Sequence, residues 1–154
     1  MTEYGPDTAP VKRFKKVTVD PENPFFTSVN GVLFTKDMRT LVCYPCGKGG
    51  DSYKTPETVE TIGAAAFANN VNLRKFDLSA SVKRLERQAF FQCDMLTDIT
   101  LPEGLEYIGA ECFDLSLKIN RIKVPESVRT LFTSAVSTGI VMEIPDSLDG
   151  FTGI

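Results

Sequence analysis

The stretch "LPEGLEYIGAECFDLSLKINRIK", residues 101–123, decides the fold of this chain. Its apolar residues show neither the three-and-four spacing of an amphipathic helix nor the strict alternation of a half-buried strand. The same order of residue types recurs on both sides, in residues 55–77, 78–100 and 124–144. The stretch is therefore one unit of an internal repeat, and the fold is sought at the level of the repeat.

The repeat has a period of 23 residues, because Pro56, Ser79, Pro102 and Pro125 are evenly spaced. Pro145 follows only 20 residues after Pro125, so the fourth unit has lost three residues. Seven apolar columns run through the units. They are Val59, Val82, Leu105, Val128 and Leu148; Ile62, Leu85, Ile108 and Leu131; Ala66, Ala89, Cys112 and Ala135; Phe67, Phe90, Phe113 and Val136; Leu73, Leu96 and Ile119; Phe76, Ile99 and Ile122; and Leu78, Leu101, Val124 and Ile144.

Such columns predict an α/β solenoid, because a short unit cannot bury its apolar face alone and stacked units form a continuous core. We expect a short strand within Leu73–Leu78 and its equivalents, paired in parallel, with the proline at the start of most units ending the ladder. The segments "AAAF" (64–67) and "RQAFF" (87–91) are expected to form short helical turns that direct the phenylalanine inward. The prediction is thus a solenoid of short parallel strands, short helical turns and an inserted β-hairpin.

The hairpin is predicted in an interruption of the period, with strands at Val32–Phe34 and Thr40–Tyr44. The whole chain divides as follows: 1–13 an N-terminal tail; 14–154 a single solenoid, made of 14–24 a partial repeat, 25–54 the hairpin insert, 55–77, 78–100, 101–123 and 124–144 the repeats, and 145–154 a terminal cap. The partial repeat is inferred because Phe14, Val17 and Val19 align with Leu73, Phe76 and Leu78. Phe25 and Phe26 are expected to pack over the open end of the solenoid.

Composition excludes several classes of function. The chain has 154 residues, a formal net charge of -3 and no histidine. Acids and bases are interspersed, which argues against nucleic acid as a partner, and no apolar run reaches the length of a membrane-spanning helix or a signal peptide. Without histidine there is no Ser-His-Asp triad, no Cys-His pair and no histidine-ligated metal.

Four cysteines are the remaining candidates for chemistry. Cys43 and Cys46 form a C-x-x-C that could be redox-active or half of a zinc site, but the motif ends a predicted strand and contains a proline, which favours a structural or incidental pair. Cys112 shares its column with alanines and is interpreted, like Cys93, as a small buried residue. The glycine-rich "GKGGDS" (47–52) lacks the spacing of a phosphate-binding loop and is interpreted as a hairpin exit.

The columns P-x-x-V-x-x-I-G-x-x-A-F-x-x-C and the insert "FFTSVNGVLFTKDMRTLVCYPCGKGGDS" (25–52) resemble the BspA-like leucine-rich repeats of bacterial and protist surface proteins. The likeness extends over about residues 14–148. The last position of this pattern is cysteine in the family. Cys93 matches it, whereas Asn70 and Ser116 occupy the same position in the neighbouring units and differ from it. The resemblance implies a secreted or cell-surface protein that adheres to host matrix or to a surface protein of another cell, with no catalytic residues and no cofactor.

The candidate partner-binding residues are the outward polar positions of the predicted strands. They are Lys16, Lys75, Asp77, Asp98, Thr100, Arg121, Lys123 and Glu143. Solenoids often bind partners on such faces. We therefore predict a non-enzymatic protein-binding module of an adhesin-like surface protein, with no nucleic-acid partner and no membrane span in this chain. The alternatives are an intracellular interaction scaffold of the same fold, since no signal peptide is visible, and an enzyme that uses the cysteine pair.

Overall fold

The computed structural model of the chain describes residues 14–137 and 139–148. These residues form twelve short strands and one 3₁₀ turn at Thr133–Ala135. The strands are β1 Phe26–Val29, β2 Val32–Thr35, β3 Thr40–Cys43, β4 Ser52–Lys54, β5 Thr61–Ile62, β6 Lys75–Asp77, β7 Arg84–Leu85, β8 Asp98–Thr100, β9 Tyr107–Ile108, β10 Arg121–Lys123, β11 Thr130–Leu131 and β12 Val141–Glu143.

The strands form two walls of a solenoid. The first wall is a seven-stranded sheet in the order β1-β2-β3-β5-β7-β9-β11. The second wall consists of the parallel sheet β4-β6-β8 and the parallel pair β10-β12, with β10 next to β8. Each coil contributes one strand to each wall, so the predicted solenoid of stacked coils is confirmed.

The strand register has the period of the sequence. Lys75 pairs with Asp98 in the second wall, and Arg84 pairs with Tyr107 in the first, which are both steps of one repeat. In the last coil Arg121 pairs with Val141, so the shortened fourth unit keeps its strand in line and loses residues from the connection. Prolines follow β4, β8, β10 and β12, where their missing N–H ends the ladder.

The predicted hairpin is present as β2 and β3, which pair antiparallel with a register shift between Leu33 and Phe34. It also supplies a coil of its own. β3 joins the first wall beside β5, and β4, which follows the hairpin, joins the second wall beside β6. Tyr44 stacks on Phe67, with ring centroids 5.1 Å apart. The insert therefore builds the first coil of the solenoid.

A stack of aromatic rings runs along the core. Phe67, Phe90 and Phe113 are fully buried and nearly parallel, with successive ring centroids 5.1 and 5.4 Å apart. Phe76 contacts Phe67 and Phe90 edge-on, at 4.4 and 4.8 Å. The predicted phenylalanine column is thus the centre of the core, where offset and edge-to-face pairs add to the free energy of burial.

The expected helical turns are wrong. Residues 64–69 form turns in which Ala65 and Asn69 have φ of +56° and +61°, and Gln88 and Glu111 repeat the value of Ala65 one and two coils later. A left-handed residue interrupts a right-handed helix. Instead, alternate N–H groups of the turn donate to the next coil, as Phe67 N does to the Ala89 carbonyl at 2.8 Å. Phe67 still points inward, but it is held by a turn that is hydrogen-bonded to the next coil and not by a helical turn.

Residues 14–20, which align with a repeat strand in the sequence, lie beside the hairpin. These residues form no strand, and β4 occupies the position beside β6 that the alignment gave them. They run instead along the hairpin, where Val17 N donates to the Gly31 carbonyl at 2.8 Å. Phe14 and Phe25 are 48% and 72% exposed, so the expected packing of Phe25 over the solenoid end does not occur either.

One column of small polar residues hydrogen-bonds each coil to the coil before it. Asn70, Cys93 and Ser116 are fully buried, one repeat apart. The Cys93 thiol donates to the Phe67 carbonyl at 3.1 Å, and the Ser116 hydroxyl donates to the Phe90 carbonyl at 2.7 Å. Asn70 and Ser116 therefore replace cysteine without losing the donor that the position requires.

Candidate partner-binding face

The outward side of the second wall, called here the strand face, carries most of the predicted binding residues. On β6, Lys75 and Asp77 are exposed on either side of the buried Phe76. The same alternation places the other predicted residues outward on the following strands. They are Asp98, Thr100, Arg121, Lys123 and Glu143. Lys16 is exposed and is not on one of these strands, since it lies in the segment that runs beside the hairpin.

Two rows of polar side chains cross the strand face along the solenoid axis. In one row Ser52, Lys75 and Asp98 are register partners, and in the other Lys54, Asp77 and Thr100 are. Arg121 and Lys123 continue the two rows on β10, and on β12 the register partners are the exposed, apolar Val141 and the acidic Glu143. Neighbouring strands in a sheet are about 4.8 Å apart, so positive and negative groups alternate over short distances. Such a face offers directional polar contacts with little net charge.

The strands β10 and β12 are joined by an ion pair between their side chains. The Arg121 guanidinium donates to the Glu143 carboxylate across β10 and β12, and both side chains are partly exposed. An exposed pair of this kind contributes about 0–1 kcal/mol to stability. Lys75, Asp77 and Asp98 make no ion pair within the described part of the chain, and their charges are available to a partner.

Two clefts border the strand face. One, of about 270 Å³, is lined by Tyr53 and by the polar residues around it on β4 and β6. The other, of about 340 Å³, lies at the ends of β10 and β12. Its lining is Glu103, Lys123, Val124, Pro125, Glu126, Glu143, Ile144 and Pro145. The first cleft is lined by strand residues alone, and the second by strand ends and the prolines that follow them.

Two of the four cysteines, Cys93 and Cys112, are fully buried. Burial raises the pKa of the Cys93 thiol to about 12, and it raises the pKa of Cys112 in the same direction. Cys43 and Cys46 are half-buried free thiols, and burial raises the pKa of Cys43 as well. A thiol with a raised pKa is a poor nucleophile, because the thiolate is the reactive form. Within the described residues no three metal-ligating side chains are grouped to hold a metal ion.

The first wall has an outward surface that the sequence analysis did not single out. The Arg84 guanidinium lies 3.9 Å from the centre of the Tyr107 ring, and the Tyr107 ring meets Phe132 edge-on at 5.9 Å. Arg84 also binds Glu86 at 2.8 Å. These side chains occupy the repeat positions directly before and after the column that begins with Ile62, and neither position is uniformly apolar in the sequence.

The repeat architecture is shared with a known family. The profile of the BspA type leucine-rich repeat region matches residues 48–139 in six copies, which is more than half of the chain. The chain belongs to this family. The matched region begins within the insert and includes β4, in agreement with a first coil built by the insert.

Solved structures of leucine-rich-repeat proteins share the fold. The pneumococcal vaccine antigen PcpA is 25% identical over 90% of this chain, with a TM-score of 0.69. A leucine-rich repeat protein of Eubacterium ventriosum is 24% identical, also over 90% and at 0.69. A leucine-rich cell surface protein of Faecalibacterium prausnitzii is 20% identical over 90%, at 0.56. No curated protein matches.

The chain spans about two fifths of these solved structures, at 39%, 42% and 41% of their lengths respectively. One of them is described as a vaccine antigen and another as a cell surface protein. None is described by a catalytic activity. Among the residues whose placement is described, no helix has the length and apolar character needed to cross a membrane.

Proposed function

We propose that this chain is a non-enzymatic protein-binding module of a cell-surface or secreted leucine-rich-repeat protein, and that it binds its partner on the strand face. The observation that carries the proposal is the row of polar and charged side chains on β4, β6, β8 and β10, on which Lys75, Asp77 and Asp98 form no ion pair among the described residues. The strands hold the backbone that carries these charges in one conformation, so binding costs little backbone conformational entropy.

The partner is a protein of the host matrix or of another cell's surface. Support comes from the family and from the solved relatives described as an antigen and a cell surface protein. The chemistry of the face agrees with a protein ligand, because alternating charges select a complementary pattern of side chains, whereas a polyanion requires an excess of positive charge. We propose a location outside the cell for the same reasons.

The test is capture of solubilised host-matrix proteins by the immobilised chain. The triple variant Lys75→Glu, Asp98→Lys, Arg121→Glu is expected to lose capture and keep the melting temperature of the wild type, since exposed charges contribute little to stability. The control is Lys15→Glu, Glu22→Lys, Lys36→Glu, which makes the same change in net charge at exposed positions outside the strand face. Equal capture by the triple variant and the wild type would refute the proposed site.

Location is tested separately. Antibodies against the chain are added to intact cells that express the full-length protein. We expect labelling without permeabilisation. Labelling that appears only after permeabilisation would contradict a surface location.

A further inference from the structure

A second charged row lies on the first wall, at the residues that immediately precede its parallel strands. These residues are Arg39, Glu60, Lys83, Glu106 and Arg129. Each is joined to the next by a backbone hydrogen bond, from Glu60 N to the Arg39 carbonyl and onward through every coil to Arg129 N, at 2.8–2.9 Å. The charges along this row, called here the charge ladder, alternate strictly in sign.

The ladder is open to solvent. Four of its residues are exposed and Glu60 is half-buried. None of the five forms an ion pair within 4.0 Å among the described residues, whereas the nearby Arg84 and Arg87 bind Glu86 and Glu111. The side chains of the ladder therefore do not neutralise one another in ion pairs, although their backbones are hydrogen-bonded neighbours.

The spacing of the ladder restricts the partner that it fits. Successive charges are one strand apart, about 4.8 Å, and like charges are about 10 Å apart. Side chains on one face of an extended peptide recur about every 6.8 Å, and those of a helix recur at about 5.4 Å, so neither stays in step over five positions. A second ladder of stacked strands has the same period and stays in step throughout.

We propose that the charge ladder is a self-association surface, at which two copies of this chain dock face to face about a two-fold axis. An axis between β7 and β9 places Lys83 opposite Glu106 of the second copy, and Glu60 opposite Arg129. Symmetry doubles both contacts, which gives four ion pairs of opposite sign. Tyr107 then lies beside the axis, and tyrosine and arginine are the residues enriched at the centres of such interfaces.

The experiment exchanges the signs of the ladder. In one variant, Glu60→Lys with Glu106→Lys, the four paired positions become positive. In the other, Lys83→Glu with Arg129→Glu, they become negative. Sedimentation equilibrium at low salt is expected to show a wild-type dimer and, for each variant alone, a dissociation constant raised about tenfold or more, because four attractions become repulsions. An equimolar mixture of the two variants is expected to restore the dimer.

The control for the net charge of the Lys83→Glu, Arg129→Glu variant is Lys15→Glu with Lys36→Glu, which makes the same change in net charge and is expected to dimerise as the wild type does. Circular dichroism checks that each variant is folded. If the reversals prevent folding, the neutral pair Glu60→Gln with Glu106→Gln is used, and it is expected to weaken the dimer about threefold or more. A wild type that stays monomeric at the highest soluble concentration overturns the proposal. So does a dimer that the folded variants leave unchanged, or a mixture that fails to associate.

Discussion

Replacing Phe90 by alanine tests the packing on which the solenoid depends. Phe90 is fully buried, lies between Phe67 and Phe113 in the stack, and meets Phe76 edge-on at 4.8 Å. A buried Phe→Ala change costs about 3–5 kcal/mol, because the side chain leaves a cavity. Loss of three aromatic pairs, each contributing about 0.5–1.5 kcal/mol beyond burial, puts the expected loss at the upper end. The melting temperature should fall by roughly 6–20 °C.

The assay is urea unfolding followed by far-UV circular dichroism. Phe25→Ala is the matched control, since this ring is 72% exposed and its removal should change the free energy of unfolding by less than about 0.5 kcal/mol. Phe113→Ala should cost less than Phe90→Ala by about 1–3 kcal/mol, because Phe113 has one aromatic neighbour among the described residues and Phe90 has three. A Phe90→Ala variant as stable as the Phe25→Ala variant would refute the idea that the stack carries the core.

Three further changes test the polar column, the turns and the buried thiols. Ser116→Ala removes a buried donor and should cost about 1–3 kcal/mol, whereas Ser116→Cys should recover most of it; equal urea midpoints for the two would contradict this role. Ala65→Gly should raise the thermal midpoint, since Ala65 has φ of +56°, whereas Ala64→Gly should lower it; the reverse order would contradict a left-handed turn. The pKa of Cys93 is raised from 9.0 to about 12 and that of Cys112 is also raised, so above pH 9 only the unfolded state releases these protons. The free energy of unfolding should therefore fall by about 1.4 kcal/mol per pH unit for each thiol as the pH rises from 9, and a double variant with both cysteines replaced by alanine should show a smaller fall in alkaline denaturation curves.

The period of the solenoid could be predicted from the sequence, because apolar columns recur wherever stacked units share one core. The even spacing of Pro56, Ser79 and Pro102 predicted the register of β6 and β8, and Pro145 predicted the shortened last unit. The phenylalanine column was found for the same reason. Each of these features depends on which side chains are buried, and burial leaves a periodic trace in the sequence.

The turns could not be predicted in this way. Ala65, Gln88 and Glu111 have left-handed backbones, yet alanine, glutamine and glutamate are all good helix formers. The backbone is fixed there by hydrogen bonds to the next coil, such as that from Gln88 N to the Ala110 carbonyl at 3.0 Å. Tertiary contacts of this kind override local propensity, and the sequence of a single unit carries no sign of them.

The ends of the solenoid were the other source of error. Tyr44 and Tyr53 complete the first coil, but the loop between them reads as a flexible hairpin exit. Phe14, Val17 and Val19 imitate the spacing of a repeat strand, and they lie against the hairpin instead. At the end of a solenoid, one neighbouring coil is replaced by other chain segments. Apolar spacing therefore no longer predicts which residues form a repeat strand there.

The strand face could be predicted because its residues alternate with buried ones, as Lys75 and Asp77 do around Phe76. The charge ladder also had a signal, since one column reads Glu60, Lys83, Glu106 and Arg129. Its first member, Arg39, lies in the insert, outside the period. That residue could be added only once β3 was seen beside β5.

Residues that are 23 positions apart in the sequence are joined by backbone hydrogen bonds between neighbouring coils, and this pairing is the central claim about the fold. Scalar couplings across hydrogen bonds, measured by nuclear magnetic resonance on labelled protein, test it directly. We expect Lys83 N to correlate with the carbonyl carbon of Glu60, and Glu106 N with that of Lys83. Couplings from these amides to residues four positions earlier, as in a helix, or to another coil spacing would contradict the account.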